Sequence, residues 1–178
     1  MVADPGAPGP PPEADASAGD GPPVDAARFR QVLGHFATGV TVVTGLDTAG
    51  PVGLAVNSFT SVSLDPPLVA ISVNRTSSTW PRIRTSGRFT VNILSADQEA
   101  VSRRFASGGD RFEGVGWRRS PSGSPVLDGA LAWIDATVEA EHDAGDHLLV
   151  VGRVSALDVV GAGGPLVFYR GGYGRFDP

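Results

Sequence analysis

Gly53-Leu54-Ala55-Val56-Asn57-Ser58-Phe59-Thr60-Ser61-Val62-Ser63-Leu64-Asp65-Pro66-Pro67-Leu68-Val69 is the stretch on which the reading of this chain turns. It begins as a small-residue strand, continues as a hydroxyl-rich crossing, and passes through an Asp-Pro-Pro turn into a second apolar strand. Asn57, Ser58, Thr60, Ser61 and Ser63 offer an amide or hydroxyls, while Phe59 and Val62 mark the crossing as partly buried. Polar groups taken out of water each cost roughly 1–3 kcal/mol unless they find partners. A planar polar ligand with a phosphate tail would satisfy many of them at once. Ordinary loops share this composition, so composition alone does not separate a site from a loop.

Outward from that stretch the chain reads as short β-branched runs punctuated by Gly, Pro, Asp and Ser. Strands are expected over 40–46, 51–56, 68–74, 88–94, 131–141, 147–160 and 166–170. In 131–141, Ile134, Ala136, Val138 and Ala140 alternate with Asp135, Thr137, Glu139 and Glu141, so one face is buried and the other wet. Phe29, Val32, Leu33 and Phe36 form the stripe of an amphipathic helix, with Asp25 as cap and Gly39 as terminator. Ser95 to Gln98 is a capping box opening a helix through Val101 and Phe105. Ser77-Ser78-Thr79-Trp80-Pro81 opens another, with Pro81 in its first turn. From 110 to 128 the chain reads as irregular. Residues 1–24 are Pro, Gly, Ala and Asp with little to bury, so they read as a disordered tail ahead of one domain over 25–178. Many short strands with few helices imply an antiparallel barrel or sandwich. No G-x-G-x-x-G follows a strand, which disfavours a dinucleotide-binding α/β domain.

Composition narrows the function. The net charge is −5 with no basic run, which argues against nucleic acid. All fourteen basic residues are Arg, so any cationic contact to a phosphate must be a guanidinium. There is no cysteine for a disulfide, thiolate or metal site, and His35, His142 and His147 show no metal-ligand spacing. No apolar run is long enough to span a membrane, and no signal peptide opens the chain, so a cytoplasmic protein is expected.

The Asn57–Val69 run resembles the flavin-binding region of the flavin reductases of two-component monooxygenase systems, and the resemblance extends from about Arg28 to about Phe176. It implies an FMN-binding split β-barrel, mainly β and Greek-key-like, forming a homodimer with flavin near the subunit interface. It also implies an enzyme that takes hydride from NADH or NADPH to FMN, with FAD possible, and hands reduced flavin to a partner monooxygenase. A non-catalytic flavin carrier or redox sensor on the same barrel, or a flavin-dependent oxidase, is the alternative.

A flavin site needs an apolar slot for the ring, donors along its polar edge and an anion site for the phosphate. Thr38, Gly39, Val40 and Thr41 form one candidate set, with close backbone approach at Gly39 and two threonine hydroxyls. Ala55, Val56, Asn57, Ser58, Phe59 and Thr60 form the second, with Asn57 supplying donors and acceptors for the pyrimidine edge. Asn74, Ser77 and Ser78 lie at an expected helix start suited to an anion, with Arg75 or Arg82 for charge; capping by Ser77 or Ser78 is compatible with that role. Gly145-Asp146-His147 stands where the resemblance places the nicotinamide, making His147 the candidate catalytic residue and positioner. Tyr173, carried by the Gly171-Gly172 loop, is the last candidate at the site edge. No metal ligand is expected.

Overall fold

The runs that Gly, Pro and Asp punctuate become twelve strands and three α-helices in the structure, a computed structural model that describes residues 23–176. The tail expected over 1–24 lies outside the described residues up to position 22. Helix α1 (Ala26–Leu33) is opened by Asp25, whose carboxylate accepts from the Arg28 N–H at 3.1 Å. It closes at Gly34, which donates to the Arg30 carbonyl, and not at Gly39 as expected. Gly39 belongs instead to β1 (Thr38–Gly39), paired with β11 (Leu166–Tyr169), which in turn pairs with β12 (Gly172–Arg175).

Seven strands form one antiparallel sheet: β2 (Thr41–Asp47), β3 (Gly50–Val56), β4 (Thr60–Leu64), β5 (Pro67–Asn74), β6 (Arg88–Ile93), β9 (Ala132–Ala144) and β10 (His147–Val159). Their order is β3-β2-β6-β9-β10-β5-β4. The hydroxyl-rich crossing is therefore an edge strand, with Val62 53% exposed rather than partly buried. An edge strand can leave both faces polar, so it lacks the alternation that announces a strand. Four strands separate β3 from β5 in this order, yet the sheet curls until they meet. There Ser58 Oγ donates to the Ser72 carbonyl at 3.0 Å and accepts from the Ser72 N–H at 2.9 Å. No ladder joins β3 to β5 among the described residues, so the barrel is split along that seam.

Inside the curl, Val43, Ile71, Phe89, Val91 and Val150 are at most 1% exposed, and α2 (Trp80–Arg84) adds Trp80 and Ile83. Each such side chain contributes about 1.5–3 kcal/mol by leaving water. A second core on the outer side gathers Val40, Val42, Leu94, Leu127 and Leu166 around Phe105 of α3 (Glu99–Ala106). This double covering makes five successive residues of β2 buried. Phe105 occupies space that Gly53 leaves free: a Cβ on Gly53 would stand 2.6 Å from its ring. That close approach sets α3 against β3.

The stretch 110–128 is not irregular throughout. It contains β7 (Trp117–Arg119) paired with β8 (Pro125–Leu127). Buried polar groups pin this ribbon to the sheet. Asn92 donates to the Val42 carbonyl and Thr44 Oγ1, both at 3.1 Å, and accepts from the Leu127 N–H at 2.8 Å. Asp135 accepts from Thr90 Oγ1 at 2.5 Å and from the Ser122 N–H at 2.9 Å. Asp135 is thus 1% exposed, not on a wet face, because the ribbon covers that half of β9.

Asn92 is fully buried, and truncating it leaves the Leu127 N–H and the Val42 carbonyl side short of partners. Asn92→Ala is expected to lower stability by about 2–3 kcal/mol, read from the urea midpoint at unchanged slope. A loss below about 0.5 kcal/mol, the range of an ordinary surface change, would show that the ribbon holds without it.

Candidate functional site

Where the seam opens, the end of β3, the end of β5, α3 and the turn before α2 enclose a cavity of about 430 Å³. Leu54 to Ser58 contribute from one strand and Ser72 to Asn74 from the other, with His147 at the start of β10 beside them. Phe105 and Ala106 add the α3 contribution, and Ser77, Ser78, Thr79 and Arg111 gather at the turn. A second cavity of about 290 Å³ shares Ala55, Val56, Asn57 and Ala106, and extends to Val40, Phe168 and Tyr173. A third, of about 640 Å³, shares Ser78, Thr79 and Arg111. The first cavity thus shares lining residues with each of the other two.

The structure brings together Val40, Ala55, Val56, Asn57, Ser58, Asn74, Ser77, Ser78, His147 and Tyr173 along the first two cavities. Asn57 is exposed to both, and its amide has no partner among the described residues. Other candidates are already engaged. The Ser58 hydroxyl is spent on the Ser72 backbone, and Thr41 Oγ1 donates to the Val56 carbonyl at 2.8 Å from a buried position. Asn74 Oδ1 accepts from the backbone and hydroxyl of Thr76, at 2.8 and 2.6 Å. Ser77 Oγ accepts from the N–H of Trp80, the first residue of α2, at 3.2 Å. Phe59 packs on the barrel core, and the Thr60 hydroxyl donates to the Ser61 carbonyl at 3.2 Å. Thr38, Gly39, Thr41, Phe59, Thr60, Gly145 and Asp146 lie outside the three cavities. Thr38 Oγ1 is buried without a partner.

Charge is placed differently from the expectation. Arg82 lines the third cavity, and its Nε meets Asp47 Oδ2 at 2.6 Å, which holds the Asp47 carboxyl below the usual range. Arg75 pins the β9–β10 hairpin tip: it donates to the Gly145 carbonyl at 2.9 Å and meets Asp143 at 2.5 Å. The guanidinium left at the slot is Arg111. Its Nη1 donates to the Gly53 carbonyl and Thr79 Oγ1, both at 2.7 Å, and its Nε to the Ser107 carbonyl at 2.7 Å. No carboxylate pairs with it among the described residues, and burial pushes its pKa down. A partly desolvated cation beside three hydroxyl residues suits a phosphate. Sequence reading missed it because 110–128 shows no periodicity; the loop break Gly108-Gly109-Asp110 was the available signal.

At the hairpin tip, Gly145 takes φ +64°, the left-handed turn conformation that favours glycine. It delivers His147 to the end of β10 opposite Asn74. His147 Nδ1 lies 2.7 Å from Asp146 Oδ1, and the hydrogen bond holds the Asp146 carboxyl below its ordinary range. An ionised carboxylate only accepts, so Nδ1 carries the proton and Nε2 is left without it when the ring is neutral.

Among the described residues no helix is long and apolar enough to cross a membrane. The reductase subunit HsaB of a flavin-dependent monooxygenase from Rhodococcus jostii (strain RHA1) is 47% identical over 156 residues, 87% of this chain and 80% of that protein. The crystal structure of nitrilotriacetate monooxygenase component B from Mycobacterium thermoresistibile superposes with a TM-score of 0.83 at 48% identity, covering 85% of this chain and 87% of that one. The NADH:FAD oxidoreductase of Streptomyces globisporus C-1027, solved with NAD and FAD fragments, gives 0.81 at 38% identity, over 86% and 94%. At those TM-scores the two solved structures share this chain's split antiparallel barrel. The flavin reductase like domain model matches residues 33–177, and the chain belongs to that family.

Proposed function

We propose that this protein is an NAD(P)H-dependent flavin reductase that delivers reduced flavin to a partner monooxygenase. The observation that carries the reading is one cavity lined at once by the unpartnered Asn57 amide, the Arg111 guanidinium and His147. That donor set fits a flavin. Asn57 would hold the polar edge of the ring, while Arg111 with Ser77, Ser78 and Thr79 would hold the phosphate. Ala55 and Ala106 are small enough to leave the slot open to a flat ring. Flavin supplies a ring that accepts a hydride and a proton, and NADH or NADPH supplies the hydride. Both FMN and FAD present the same ring and first phosphate to these residues.

The protein's own contribution is placement. His147, held by Asp146 on a hairpin that Arg75 anchors, borders the slot and is positioned to orient the nicotinamide. A flavin carrier would need no such group, so His147 favours the enzyme. Reactants held in attack geometry gain several orders of magnitude without any acid or base at the reacting carbon.

The partner subunit enters through α1. Phe29, Val32, Leu33 and Phe36 are each at least 50% exposed, an apolar stripe that nothing in the single chain covers among the described residues. A second copy related by a two-fold axis would bury it.

Two variants separate binding from positioning. Asn57→Ala is expected to weaken FMN binding by about 1–2 kcal/mol, the scale of a lost hydrogen bond, with the reduction rate at saturating flavin little changed. His147→Ala is expected to keep FMN affinity and to slow anaerobic flavin reduction on the order of a hundredfold. A His147→Ala protein that reduces flavin at the wild-type rate would move the reading to a carrier. Light scattering is expected to give twice the 18.3 kDa chain mass, and Phe36→Asp to shift it toward one chain; a wild-type monomer that still reduces flavin would overturn the dimer.

A further inference from the structure

A fourth cavity, of about 270 Å³, lies apart from the other three and shares none of their residues. It is bounded by Leu46 of β2, by Ser86 and Arg88 where β6 begins, and by Arg119, Ser122 and Ser124 of the β7–β8 ribbon. Leu46 stands five residues along β2 from Thr41, whose partner Val56 borders the slot. At about 3.3 Å per residue, that is about 16 Å of strand between the two sites.

In a chain of net charge −5, this cavity gathers two cations. Neither Arg88 nor Arg119 meets a carboxylate among the described residues. Arg119 Nη1 donates to the Gly123 carbonyl at 3.3 Å, which holds the guanidinium against its own ribbon. Arg118, on the opposite face of β7, lies instead over the Trp133 ring, 5.9 Å from its centroid. The adjoining carboxylates are committed: Asp47, next to Leu46, pairs with Arg82, and the buried Asp135 accepts from Thr90 Oγ1 and the Ser122 N–H.

Ser124 points to a ligand independently of the charges. It is 3% exposed and lines the cavity, and its hydroxyl makes no hydrogen bond among the described residues. Its backbone is engaged on both sides, by Ser122 Oγ and by the Ser120 N–H. A hydroxyl held out of water without a partner is costly until something meets it. Ser86 offers no donor, because its proton goes to the Ile83 and Arg88 carbonyls. Guanidinium forks match oxyanions by two-point hydrogen bonds. A phosphate dianion answers both cations with one group, where a carboxylate carries charge for only one. A water takes roughly 30 Å³, so the space holds a phosphate and a short carbon chain against Leu46.

We propose that this cavity is an anion site, separate from the flavin slot, that takes the phosphate group of a small ligand through Arg88, Arg119 and Ser124. It uses none of the residues of the flavin reading. Arg88 belongs to the barrel and Arg119 to the ribbon, so a bound phosphate ties one to the other.

Calorimetric titration of the full chain in excess FMN tests the proposal, with sodium phosphate and glycerol 3-phosphate added at an ionic strength fixed by sodium chloride. Excess FMN keeps the Arg111 end of the slot from taking the added anion. The wild type is expected to bind one or both anions saturably, and whichever binds names the source as free phosphate or a phosphomonoester. Arg88→Gln and Arg119→Gln are each expected to weaken that binding about tenfold, the scale of a lost hydrogen bond to a charged group, and Ser124→Ala by less. The Arg88 side chain makes no hydrogen bond among the described residues, so Arg88→Gln is expected to keep the wild-type urea midpoint, FMN affinity and flavin reduction rate. No saturable binding of either anion up to about 10 mM, beyond the millimolar range of weak sites, would overturn the site. So would an affinity that the Arg88→Gln, Arg119→Gln double variant leaves unmoved.

Discussion

Arg111 holds three separate pieces of chain in one arrangement. Its guanidinium donates to the Gly53 carbonyl of β3, to Thr79 before α2 and to the Ser107 carbonyl at the end of α3, each at 2.7 Å. Hydrogen bonds to a charged group contribute about 1.5–3 kcal/mol each when made and cost more when left open in a desolvated place. These three fix the strand, the turn and the helix that bound the slot, while leaving the charge without a carboxylate to neutralise it. In the proposed function, a structural tie and the anion site are thus the same side chain. Gly53 serves the same end by sterics, since only a glycine lets Phe105 sit where it does.

The split in the barrel is what makes room for a ligand. A closed barrel of this size fills with side chains, as the inner core of Val43, Phe89 and Val150 does here. At the seam the backbone groups that a ladder would have paired are met instead by the Ser58 hydroxyl, which satisfies both groups of Ser72. The gap beside it is lined by an amide and hydroxyls rather than by strand-pairing backbone. Asn57 is left facing that gap because its neighbour, not itself, clasps β5. His147 reaches the same gap from the far strand because a two-residue turn with Gly145 in the left-handed region ends β9 beside it.

Much of the barrel was legible because β-branched runs and their Gly, Pro and Asp boundaries are local signals. The ribbon of β7 and β8 was not, since its strands are three residues long and their anchors, Asn92 and Asp135, lie elsewhere in the sequence. Edge strand β4 was hidden by its own polarity. Of the residues lining the first cavity, Asn57, Ser78 and His147 could be named from the stretch, the helix start at Ser77 and the hairpin triplet. Arg111 could not: local logic at the start of α2 pointed to Arg75 and Arg82, which pair with Asp143 and Asp47 from other strands. Arg111 pairs with Gly53 across 58 positions, a contact only the folded chain displays. Thr41 and Ser58 show the converse, hydroxyls whose one proton is already donated to a backbone carbonyl.

The central claim is that one slot holds flavin with a nicotinamide positioned by His147 beside it. The most direct measurement is anaerobic: FMN-loaded protein mixed with NADH or NADPH while the visible flavin absorbance is followed in a stopped-flow instrument. The account predicts saturable bleaching of the flavin band within one turnover by at least one of the two nucleotides. Flavin that binds tightly yet keeps its oxidised absorbance in the presence of both nucleotides would contradict it.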